Sequence, residues 1–155
     1  MAQSNYLISG LPGTGKTTVC EELRLRGLRA IDADRAFSRQ TDLGWVWQDA
    51  VLTKVLDDVT DERLFICGSA SNRDDYLYRF SKVFILYVDD ETLCHRLTHR
   101  TNNNFGKDPA VLARQLARNK GVKEYSLQRG RIVIDATQPV ATIVDEILAS
   151  IKSKG

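Results

Sequence analysis

The chain of 155 residues has only three prolines and three cysteines, and no apolar run approaches the roughly 20 residues that cross a membrane. Cys20, Cys67 and Cys94 are odd in number and far apart in sequence, each set among apolar neighbours. That pattern argues against a disulfide framework and reads all three as reduced core residues. A formal net charge of +2 is too small to point to a nucleic-acid partner. The opening residues are polar rather than basic and then apolar, so no secretory leader is recognised and a cytoplasmic protein is expected. Charged residues at 27% and apolar residues at 43% match an ordinary globular domain. The length fits one domain able to bury a core without a structural metal.

What is present begins with Gly10 to Thr17, G-L-P-G-T-G-K-T, a complete G-x-x-x-x-G-K-[ST] phosphate-binding loop. It follows the apolar run Tyr6-Leu7-Ile8 and precedes a helical pattern, the strand-to-helix context the motif requires. Gly10, Gly13 and Gly15 let the backbone come close to an anion, and the N–H groups of Gly13 to Thr18, with Thr14 among them, would surround it at a helix N-terminus. Lys16 would reach the β- and γ-phosphates, and the Thr17 hydroxyl would hold Mg²⁺. ATP or GTP binding follows.

Short apolar runs at Tyr6 to Ser9, Leu28 to Ile31, Leu64 to Cys67, Val83 to Val88 and Ile132 to Ile134 alternate with helical patterns. Such alternation predicts a mainly parallel sheet of five strands with helices on both faces. Helices are expected over Lys16 to Arg26, with Gly27 as a left-handed cap, over Ala50 to Val59, and over Asp89 to Arg100 through Leu93, Cys94 and Leu97. A further helix starts behind Asp108 and Pro109, and a last one begins near Pro139. The polar stretch T-N-N-N-F-G-K, Thr101 to Lys107, sits inside the domain and reads as a short lid with Gly106 as hinge.

Past the second predicted strand comes Ile31-Asp32-Ala33-Asp34-Arg35, two carboxylates at the strand end where open α/β sheets bind ligands. Alternation along an extended chain would point both to one side. One would orient the waters of Mg²⁺ and the other would accept a proton from a substrate hydroxyl. Alternatively, Asp34 caps the next helix. His95 and His99 are spaced i, i+4 without the central glutamate of the zinc-protease motif, and no third ligand is evident. Trp45 and Trp47 suit either a core or an acceptor-stacking role.

The phosphate loop, the D-x-D pair and a short arginine-bearing lid together resemble the small P-loop kinases: shikimate kinase, gluconate kinase and the nucleoside monophosphate kinases. The resemblance implies a three-layer α/β/α P-loop NTPase fold and a single domain over residues 1–155 with its lid at about 100–107. It implies a phosphotransferase moving the γ-phosphate of Mg·ATP to a small-molecule acceptor such as a nucleoside, nucleotide or sugar acid. By the same resemblance Asp32 lies near the metal with Thr17, and Asp34 near the acceptor hydroxyl. Cys67 to Tyr76 is similar to the S-A-x-x-R segment of gluconate kinases. Ser69, Ser71 and Asn72 would then line the acceptor pocket, with Arg73 for an anionic group. Arg96 and Arg100 share a helix face, and in related kinases an arginine here closes over the nucleotide and the transferring phosphoryl group. Ala136 and Thr137 follow the last strand, where this group passes the adenine ring. A monomer or homodimer is expected. Two other readings stand beside this one: a polynucleotide 5′-end kinase, from Asp34-Arg35, and a non-catalytic nucleotide-binding module.

Overall fold

The computed structural model describes residues 5–42, 44–58, 63–99 and 107–152. Arg100, residues 101–106 of the expected lid, and Val59 lie outside the described residues. The strands β1 (Asn5–Gly10), β2 (Arg29–Asp32), β5 (Leu64–Cys67), β6 (Lys82–Tyr87) and β7 (Ile132–Asp135) form a five-stranded parallel sheet in the order β2-β5-β1-β6-β7. Each expected strand is therefore present, with no end moved by more than one residue. Between β2 and β5 the chain adds a second sheet of two strands, β3 (Ser38–Thr41) and β4 (Gly44–Trp47). Among the described residues, no helix is long and apolar enough to cross a membrane.

The fold divides into two compact units, Met1–Ser9 with Lys16–Phe84, and Gly10–Gly15 with Ile85–Gly155. In the first unit, β5 pairs in parallel with β1 and β2, and the register sets Ile8 and Asp32 opposite Cys67. β2 and β5 therefore finish level with one another, while β1 runs two residues further, to Gly10. Helix α1 (Lys16–Leu25) buries Val19, Cys20 and Leu23, and Gly27 takes the left-handed conformation expected after it, with φ of +83°. Helix α3 (Asp49–Asp57) buries Leu52 and Leu56. Leu7, Phe37, Trp47, Leu64, Ile66, Tyr76 and Phe80 complete the core around them.

The β3–β4 hairpin is the element that the sequence pattern leaves out. Ser38 to Thr41 reads S-R-Q-T, with no apolar alternation to mark a strand. What holds the hairpin is polar and distant in sequence. The Asn72 side chain accepts from Trp47 N at 2.9 Å and donates to Trp47 O at 2.9 Å, acting as one more rung of the ladder. Ser71 N donates to Trp45 O at 2.8 Å. Trp47 is thereby driven into the core at 1% exposure while Trp45 remains 56% exposed. The two tryptophans thus have different fates.

In the second unit, α4 (Asp90–His99) buries Leu93 and Leu97, but Cys94 only in part, so the fully buried position expected for Cys94 is corrected. Helix α5 (Pro109–Gln128) begins as expected, with the Asp108 carboxylate accepting from Ala110 N and Val111 N and proline in the first turn. Its buried side chains include Gln115, Asn119 and Ser126, which explains why no apolar stripe announced its length. Asn119 fastens the helix by donating to Val88 O and to Asp90 Oδ1, each at 2.9 Å. Helix α6 (Val140–Lys152) buries Ile143, Val144, Ile147 and Ile151.

The Tyr76 phenol, in a 3-10 helix over Arg73–Arg79, donates to Asp49 Oδ1 at 2.7 Å, and burial together with that carboxylate pushes its pKa up to about 12. Tyr76→Phe keeps the ring beside Trp47 but deletes this bond. A loss of about 1 kcal/mol is expected, read in calorimetry as a melting temperature lower by about 2–4 °C. An unchanged melting temperature would show that the bond does not hold the 3-10 helix to α3.

Candidate active site

The phosphate loop belongs to the second unit as far as Gly15 and runs directly into α1 of the first. At Gly10 the backbone passes so close to its neighbours that an added Cβ would meet Thr14 Oγ1 at 2.7 Å and Leu86 O at 2.8 Å. No larger residue fits there without moving main chain. Gly13 takes a left-handed φ of +86°, and the buried Thr14 hydroxyl donates to Leu11 O at 2.7 Å, closing the turn from inside. Arg96 donates to Gly13 O at 3.4 Å and to Ala136 O at 2.9 Å. One guanidinium thus joins the loop to the segment after β7. There Thr137 donates from both its N–H and its hydroxyl to Asp135, which holds that carboxylate below its usual pKa.

In the first unit Lys16, Thr17 and Thr18 open α1. Thr17 Oγ1 donates to Asp32 Oδ2 at 3.2 Å, and Asp32 is 7% exposed at the end of β2. The Arg35 guanidinium lies 3.7 Å from the same oxygen. Extended alternation was expected to bring Asp34 to the same side as Asp32. Instead the strand stops at Asp32, and the chain turns into the short helix α2 (Ala33–Ala36). Asp34 makes no cap of its own: Asp32 occupies the N-cap position of α2, without a side-chain capping bond. The Asp34 carboxylate turns against the backbone after β5, where Ser69 N donates to Oδ1 at 3.1 Å. A Cβ at Gly68 would stand 2.7 Å from that oxygen. Gly68 is thus what leaves room for Asp34, and a glycine directly after a buried strand is its signal in the sequence.

The acceptor segment is more occupied than its sequence suggests. Asn72 is committed to the hairpin. Arg73 donates to the Ser9 hydroxyl at 3.0 Å and to Asp74 at 3.1 Å, which anchors the segment to the residue before the phosphate loop. Ser71 is exposed, and its main chain binds Trp45. Ser69 is half-buried and meets Asp34 through its N–H. His95 and His99 stack at 4.2 Å between ring centroids, and His99 Nδ1 lies 2.9 Å from His95 O, a contact internal to α4.

Loss of water around its carboxyl is the main influence on Asp34 and raises its pKa above 3.8, with Lys16, the Ser69 N–H and Trp47 acting the other way. The residue keeps exposed surface while its acidic tip lies against Gly68. A carboxylate with a raised folded pKa favours the folded state below its unfolded value and opposes it as the pH climbs through the raised value. Asp34→Asn, without nucleotide, should therefore melt higher than the parent at pH 7, with the gain fading toward pH 3.8. A parent more stable than the variant at neutral pH would mean that Asp34 is not strained by desolvation.

In comparisons with known proteins, the AAA domain family matches residues 7–120. No curated protein matches the chain. Solved structures share the fold at low identity. Shikimate kinase from Acinetobacter baumannii superposes with a TM-score of 0.69 at 20% identity, covering 99% of this chain and 95% of that one. A gluconokinase from Sinorhizobium meliloti gives 0.65 at 22% identity over 97% and 92%. Deoxyadenosine kinase from M. mycoides gives 0.59 at 17% identity over 97% and 100%. The sheet order, the phosphate loop between β1 and α1, and the family match over most of the length lead to one assignment: the chain belongs to the AAA domain family, with the three-layer α/β/α fold of the small P-loop kinases.

Proposed function

We propose that the protein is a kinase that transfers the γ-phosphate of ATP to a hydroxyl of a small molecule. The observation that carries the reading is the Asp34 carboxylate, held by Ser69 N–H beside Gly68 at the end of β5, with its pKa raised by burial. A carboxylate so placed suits the removal of a proton from an attacking hydroxyl, because a raised pKa makes it a stronger base. As the acceptor oxygen bonds to the γ-phosphorus, its proton passes to Asp34 and the β–γ bridge oxygen leaves with ADP. Lys16 and the loop N–H groups hold the phosphates. Thr17 and Asp32 offer a hydroxyl and a carboxylate oxygen, hard donors that fit Mg²⁺, whose charge would offset that of the phosphates.

Shikimate kinase, gluconokinase and deoxyadenosine kinase, which share the fold, act on hydroxyl-bearing small molecules by their names. That agreement supports a hydroxyl acceptor. The engagement of Arg73 with Ser9 and Asp74 also favours a neutral hydroxyl over a phosphate as the receiving group.

The test is transfer of label from γ-labelled ATP to a panel of nucleosides, nucleotides and sugar acids. Lys16→Ala should weaken ATP binding by at least about tenfold, or about 1.4 kcal/mol, with the melting temperature unchanged. Asp34→Asn should lower kcat by about 10²–10⁴-fold while titration calorimetry shows ATP binding retained. Full turnover by Lys16→Ala, or loss of ATP binding in Asp34→Asn, would overturn these roles.

A further inference from the structure

The β3–β4 hairpin carries an exposed indole that the proposed chemistry leaves unused. Its register sets Gln40 opposite Trp45 and Ser38 opposite Trp47. Alternation along the two strands puts these four side chains on one face, and Arg39 and Val46 on the other. Directly opposed side chains have Cβ atoms about 5 Å apart, so the Gln40 amide is the immediate neighbour of the Trp45 ring. Both residues are exposed. Among the described residues the Gln40 amide makes no hydrogen bond.

This face leads toward Asp34, and all the residues concerned belong to the first unit. Trp47, at the inner end of the face, enters the core cluster that includes Ala33, the residue before Asp34, and its indole acts on the Asp34 carboxyl. Trp45 lies two residues away on the same side of β4. The segment after β5 ties the two places together, since Ser69 N donates to Asp34 Oδ1 and Ser71 N donates to Trp45 O. Two residues of chain span at most about 7 Å. A nucleoside can bridge such a distance, with its base at one end and a ribose hydroxyl at the other.

We propose that Trp45 and Gln40 bind the base of a nucleoside whose ribose hydroxyl meets Asp34, an inference that rests on the kinase reading above. The indole stacks on the flat face of the base. The Gln40 amide, which offers both a donor and an acceptor, meets the hydrogen-bonding edge of the same base. A sugar acid fits this face poorly, because its carboxylate needs a cation and none of Ser38, Gln40, Trp45 and Trp47 is charged. Arg73, the arginine of the neighbouring segment, is already held by Ser9 and Asp74. The transfer itself is unchanged: the ribose oxygen bonds to the γ-phosphorus, its proton passes to Asp34, and the β–γ bridge oxygen leaves with ADP.

Tryptophan emission reads the site, because the chain has two tryptophans, one exposed and one buried. The whole protein, in the presence of saturating Mg·ADP, is titrated with adenosine, guanosine, cytidine and uridine and, for comparison, gluconate. A nucleoside should shield Trp45 from quenching by iodide, a change absent from Trp45→Phe. Trp45→Ala should weaken binding of that nucleoside at least about tenfold, raising KM far more than it lowers kcat, while Trp45→Phe, which keeps a flat ring, retains most of the affinity. Gln40→Ala should flatten the preference among the four bases. Both side chains are exposed, so the melting temperatures of the variants should match the parent's. Shielding by gluconate alone or by nothing in the panel, or parental affinity in Trp45→Ala, would overturn the proposal. The parent's ranking of bases in Gln40→Ala would overturn the role of Gln40. Failure to bind Mg·ADP, or nucleoside binding without phosphate transfer, would count against the kinase reading alone.

Discussion

The turn from β1 into α1 depends on a close approach of main chain to main chain. At Gly10 a Cβ would stand 2.8 Å from the Leu86 carbonyl oxygen, so the strand can leave the sheet there only as glycine. Past that point the Thr14 hydroxyl answers the Leu11 carbonyl from within the turn, and Arg96 takes the Gly13 carbonyl. With carbonyls bound in these ways, the loop can direct N–H groups toward an anion at the start of α1. An arginine that also binds Ala136 makes the position of the loop depend on the segment after β7. Such a side chain shapes the loop through backbone oxygens.

The opposite requirement governs Asp34. The Asp34 carboxyl is partly stripped of water, and the glycine at position 68 permits this by leaving room for it against bare backbone. Desolvation opposes folding, while the Lys16 charge and the Ser69 N–H return part of the cost. The surrounding segment is correspondingly rigid. Asn72 is bound to β4, Arg73 to Ser9, and Tyr76 to Asp49. Polar side chains of this segment thus fix the backbone around Asp34, while Trp45 stays exposed.

Helix α1 carries Thr17 and Cys20 on neighbouring turns. Thr17 faces Asp32, and Cys20 is buried. Any force that shifts this helix on the sheet acts on both. Parallel strands that end in register set Cys67 directly beside Asp32.

Local patterns were enough for the strands, the phosphate loop and the helix ends, because each rests on neighbours within a turn or two: glycines at fixed offsets, Asp108 before Pro109, Gly27 after α1. The meeting of Thr17 with Asp32 was legible from the motif and the strand end. The direction of Asp34 was not, because it depends on β2 stopping at Asp32 and on Gly68 approaching from β5. The β3–β4 hairpin was also hidden, since Asn72 supplies bonds that no alternation in S-R-Q-T encodes. Local sequence determined which elements form and where the phosphate loop lies, whereas the placing of Cys67 beside Asp32 and the seat of Asp34 were decided only when β5 came to lie between β1 and β2. Contacts between residues distant in the chain are set by strand order and register, and these minimise the free energy of the whole sheet rather than of any one segment.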